Sequence, residues 1–89
     1  MPYIKKEDRE KYEACINYIV QELNKLPIEK VEGELNYIIS SILKWFYRTK
    51  PKYFNYNRMI GLLECIKLEV YRRWVAPYED IKMEENGDI

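Results

Sequence analysis

The sequence predicts an all-α protein: a compact three-helix unit with a short acidic C-terminal tail, self-associating through surplus apolar surface. Apolar residues recur at three- and four-residue steps along three stretches. Pro27, Pro51 and Pro77 stand where those patterns break. Neither strand alternation nor a hairpin signal competes. At 89 residues the chain is the size of one domain, residues 1–89, whose core must be efficient or shared.

The first helix is expected at about residues 6–26, where Tyr12, Cys15, Ile16, Ile19, Val20, Leu23 and Leu26 fall on one side before Pro27. The second, at about 30–49, places Val31, Leu35, Ile38, Ile39, Ile42, Leu43, Trp45 and Phe46 on one face. Glu29, Glu32 and Glu34 lie near its positive N-terminal end. The third is expected at about 56–76, capped by Asn55 or Asn57 and closed by Pro77, with residues 77–89 as the tail. Apolar residues from Met59 to Ala76 cover almost its whole circumference, more than two neighbouring helices bury easily. That surplus is the reason to expect a homo-oligomer. A monomer whose tail packs Tyr78, Ile81 and Met83 over the same surface is the alternative.

Fifteen basic and fifteen acidic residues balance to zero, but they are segregated. Residues 1–43 carry six basic and eight acidic groups, residues 44–76 eight and two, and residues 77–89 one and five. The middle segment can therefore attract an anion that the chain as a whole would not. No apolar run reaches the roughly 18 residues of a membrane span, and the N-terminus has no apolar secretion core, so the expected setting is the cytoplasm. Cys15 and Cys65 sit in apolar helical patterns and are expected as free, buried thiols. With no histidine and no spaced cysteine pairs, neither metal chemistry nor a cofactor is expected.

Function is sought first between Lys44 and Arg58, KWFYRTKPKYFNYNR, which holds six aromatic residues, five basic residues and no acid. Rings can stack on a planar ligand while lysine and arginine neutralise phosphate or carboxylate. On the second helix Tyr37, Ser41, Lys44 and Arg48, spaced four, three and four residues apart, form one polar stripe opposite the apolar face. Such a stripe could hold a phosphate, or it could be an ordinary solvated helix face. The following loop, residues 49–57, brings Lys50, Lys52, Tyr53, Phe54 and Tyr56, and Arg58 comes next. Its rings either stack on a ligand or plug the end of the core. Arg72 and Arg73, beside Trp74, form a second basic cluster, and Glu69 stands at the right spacing to pair with either. Gly33, in the first turn of a helix, is more readily a close-packing position than an anion site.

Taken together, MPYIKKEDR at the start, GELNY at Gly33 to Tyr37, YNRMIGLLECIKLEVYRR and APYEDIKMEENGD resemble a family of small uncharacterised helical proteins of bacteria and their phages. The resemblance covers nearly the whole chain. It implies a bacterial or phage-infected cell and transfers no site. Small phage proteins that form helical oligomers and sequester nucleotide second messengers are an analogy of size and surface chemistry only.

The expected function is non-enzymatic: an oligomer that binds, and so sequesters, a small anionic nucleotide-like molecule. The residues expected to do so are Tyr37, Ser41, Lys44, Arg48, Lys50, Lys52, Tyr53, Tyr56, Arg58, Arg72 and Arg73. No catalytic residue is assigned, because the chain has no histidine and no serine flanked by glycines. The alternative is a protein–protein interaction module using the same aromatic and basic surface. Single-stranded nucleic acid would need a continuous basic groove, and zero net charge argues against it.

Overall fold

In the computed structural model of the chain, residues 3–89 are described, and every regular element among them is helical. The chain divides into two units, Met1–Arg48 and Thr49–Ile89.

The first unit opens with a single 3-10 turn, Lys6–Asp8, and continues into helix α1, Glu10–Asn24. The Arg9 side chain stands at the junction and donates from Nε to the Ile4 carbonyl at 3.0 Å. At the far end of α1 the Lys25 and Leu26 amides donate to the Glu22 and Leu23 carbonyls at 3.2 and 3.1 Å, which satisfies acceptors that the helix itself cannot. Pro27 then leads directly into helix α2, Ile28–Thr49, and its carbonyl accepts from the Lys30 amide at 2.9 Å. Proline is tolerated there because a first-turn amide would have no partner inside the helix.

The second unit begins with the extended residue Lys52 and continues as helix α3, Tyr53–Val70. A wider π turn, Tyr71–Val75, follows and leads without interruption into helix α4, Ala76–Asn86. Two expectations change here. Tyr53, Phe54 and Tyr56 belong to the first turn of α3 and not to a loop, and neither Asn55 nor Asn57 caps it; the Asn55 side chain instead donates from Nδ2 to the Lys50 carbonyl at 3.3 Å. Pro77 does not end the helix either, so the expected tail is largely α4. A proline ring ordinarily clashes with the carbonyl four residues earlier, here that of Arg73. The wide turn carries this stretch of backbone, with the Ala76 amide bonded to the Tyr71 carbonyl five residues back. The helix finally stops at Gly87, whose φ of 89° is open to glycine and strained for other residues, with its amide on the Met83 carbonyl at 2.9 Å.

Among the described residues none is buried. In the first unit Ile19, Leu23, Leu26, Val31, Ile38, Leu43 and Phe46 are half-buried, whereas Leu35, Ile39 and Ile42 of the same α2 face are exposed. In the second unit Tyr56, Met59 and Ala76 are half-buried, and Ile60, Leu62, Leu63, Ile66, Leu68, Val70 and Trp74 are exposed. Both cysteines are exposed as well, contrary to the burial expected of them. The helical periodicity is therefore present while neither unit closes a core of its own. A helix pair and a single uninterrupted helix offer too few layers to enclose a side chain on every side.

Candidate binding surface

Helix α2 separates two chemistries. Its apolar residues Val31, Leu35, Ile38, Ile39, Ile42 and Phe46 occupy one side, and Tyr37, Ser41, Lys44 and Arg48 lie about 140° away at 100° per residue. All four polar residues are exposed. Among the described residues Lys44 and Arg48 have no hydrogen-bond or ion-pair partner, while nearby Ser40 is engaged by donating from Oγ to Asn36 Oδ1 at 3.2 Å. At 1.5 Å per residue the stripe runs about 16 Å from Tyr37 to Arg48, too long to converge on one phosphate. Lys44 and Arg48 are one turn apart, with Cβ atoms separated by roughly 6 Å, and that pair can share a single anion.

The remaining candidates belong to the second unit and form two groups. Lys50 precedes α3, its carbonyl accepting from the Lys52 amide at 2.8 Å. Lys52 caps the helix with its backbone, receiving the Asn55 and Tyr56 amides at 2.9 and 3.0 Å. Tyr53 is exposed and Tyr56 half-buried, so the two rings divide between the surface and packing roles that the sequence left open. The Arg58 guanidinium lies 4.3 Å from the centre of the Phe54 ring, a contact between residues one turn apart. Arg72 and Arg73 sit on the wide turn, about 20 Å along the same helix from Arg58. Arg72 is committed to Glu69, and the Arg73 guanidinium lies 5.6 Å from the Trp74 ring. Within the second unit, then, the structure keeps Arg72 and Arg73 apart from Lys50, Lys52 and Arg58.

Open depressions lie beside Tyr71, Tyr78 and Met83 and beside Tyr3, Tyr12 and Ile16. Neither is lined by a candidate residue. Among the described residues no cluster of histidine, cysteine, aspartate or glutamate could hold a metal ion, and no helix is long and apolar enough to cross a membrane. A Cβ added at Gly33 would meet nothing within 4 Å, so close packing does not explain that glycine within the chain. The feature that sequence reasoning missed is the wide turn Tyr71–Val75. Its signal was a proline placed where an apolar helical pattern ran on through Tyr78 and Ile81.

No curated protein and no solved structure matches the chain. A family model, domain of unknown function DUF6899, matches residues 1–89, and the chain belongs to that family.

Proposed function

We propose that this member of an uncharacterised family is a non-enzymatic binding protein that self-associates through its apolar helix faces and takes up an anionic, nucleotide-like ligand on the polar stripe of α2. The observation that carries the reading is the division of α2 into two opposite surfaces. Covering Leu35, Ile39 and Ile42 with another copy would leave Lys44 and Arg48 facing outward and without an internal competitor. Tyr37 and Ser41, about three and two turns of the stripe away from Arg48, supply a ring and a hydroxyl for the rest of an extended ligand. Capture by affinity alone, in the cytoplasm of a bacterium or phage-infected cell, is the role that fits this arrangement.

The test is native mass spectrometry of the protein purified from its host, followed by calorimetric titration with nucleotides and cyclic nucleotides. An oligomer that retains a small anion, or binds one in titration, supports the reading. A protein that binds none of them refutes the ligand.

A second reading is a protein–protein contact through the same stripe. It is favoured by the straightness of the stripe, about 16 Å along one helix with all four of its side chains exposed. Tyrosine and arginine are well suited to anchor such a contact.

A further inference from the structure

The helical run from Tyr53 to Asn86 carries its charges in the wrong order for its own dipole. A helix favours acids at its N-terminus and bases at its C-terminus. Here the first turn of α3 has no acid and is preceded by Lys50 and Lys52, with Arg58 soon after, while the last turn of α4 has no base and contains Glu84 and Glu85. Ion pairs within the run include exposed contacts three residues apart, Lys67 with Glu64, Arg72 with Glu69 and Lys82 with Glu85, each worth only a few tenths of a kcal/mol. They do not compensate for the reversed ends.

The same run carries one continuous apolar stripe. Tyr56, Met59, Leu63, Ile66 and Val70 follow each other at alternating three- and four-residue steps, the spacing of a two-helix seam. Beyond Val70 the steps to Trp74 and Tyr78 are both four residues, which would swing the stripe around a regular helix. The π turn between Tyr71 and Val75 holds more residues per turn and takes up that excess, so Trp74, Tyr78 and Ile81 stay in line with the seam. Leu63, Ile66, Val70, Trp74, Tyr78 and Ile81 are exposed, Trp74 at 62%.

We infer that the partner of this stripe is the same helix of a second copy, running antiparallel. A two-fold axis near Leu68 and Glu69 sets Tyr56 of one copy opposite Ile81 of the other, Met59 opposite Tyr78, and Leu63 opposite Trp74. It also lays the basic end, Lys50, Lys52 and Arg58, beside the acidic end, Glu79, Glu84 and Glu85. The charge order that opposes a lone helix is the order that an antiparallel pair requires, since each end meets the opposite charge and the opposite dipole. A parallel pair would bring like ends together. This pairing rests on the self-association proposed above, not on ligand capture, and it assigns Lys50, Lys52 and Arg58 to the interface.

Sedimentation equilibrium and disulfide trapping test it in the full chain. With Cys15 and Cys65 replaced by serine, Val70→Cys lies close to its own copy across the axis and is expected to form an interchain disulfide. Met59→Cys lies about 28 Å from its copy along the axis and is expected not to. Reversing the basic end (Lys50→Glu, Lys52→Glu, Arg58→Glu) or the acidic end (Glu79→Lys, Glu84→Lys, Glu85→Lys) should each weaken self-association about tenfold or more, and mixing the two variants should restore it. Restoration on mixing also shows that neither variant is simply unfolded. Trapping of both cysteine variants, or indifference to charge reversal in a protein that does associate, overturns the antiparallel pairing alone. A monomer at every concentration overturns the self-association with it.

Discussion

Arg72 donates from a single guanidinium nitrogen to both carboxylate oxygens of Glu69, at 2.9 and 3.1 Å, across one turn of the helix. The spacing made either arginine a partner for Glu69, and Arg72 is one that the structure brings onto this carboxylate. The Arg72 side chain remains 70% exposed, so water competes for it and screens the pair. Arg72→Ala is therefore expected to lower unfolding stability by less than about 0.5 kcal/mol. Urea titration of the variant beside the wild type measures this, and a loss several times larger would show that Arg72 meets something beyond its own helix.

Lys44 and Arg48 separate binding from folding more sharply, because both are exposed and neither has a partner among the described residues. Lys44→Ala and Arg48→Ala should each shift stability by less than about 0.5 kcal/mol. If the stripe holds an anion, each should cost roughly 1.5–3 kcal/mol of binding, a loss of about ten- to a hundredfold in affinity. Calorimetry with the best ligand of the nucleotide screen, paired with thermal melts, reads both quantities. Unchanged affinity in both variants would return the stripe to an ordinary solvated face.

The two cysteines are expected to behave differently as concentration rises. Cys15 belongs to the apolar side of α1 with Ile16, Ile19 and Leu23, whereas Cys65 lies well around the helix from the stripe formed by Leu63, Ile66 and Val70. Both are exposed in the single chain. Association through the apolar faces should slow labelling of Cys15 and leave Cys65 nearly as reactive as in dilute solution. Mass analysis of peptides after timed alkylation distinguishes them, and equal protection of both would place the contact elsewhere.

Gly33 offers a test of the single helix. It lies inside α2, where glycine costs conformational entropy, and a Cβ there would meet nothing within 4 Å. Gly33→Ala should therefore stabilise the protein by about 0.5–1 kcal/mol. A destabilised variant in a urea titration would mean that another surface approaches the Gly33 backbone closely.

Read by itself, the sequence determined the local order of this protein. The three- and four-residue recurrence from Tyr12 to Leu26 and from Val31 to Phe46 was enough to assign helix, because backbone bonding four residues apart and the face a side chain occupies are both local properties. The opposition of Tyr37, Ser41, Lys44 and Arg48 to the apolar face of α2, and the reach of Glu69 to the arginines after it, follow from the same spacing. Tertiary structure decided what spacing cannot reach. It drew Tyr53, Phe54 and Tyr56 into α3, carried the helix past Pro77 by widening one turn, and separated the Arg58 and Arg72 groups along one axis. It also left Ile42, Ile66 and Trp74 uncovered. Coverage depends on how many other surfaces arrive at a residue, and a periodic pattern records which face is apolar without recording what meets it.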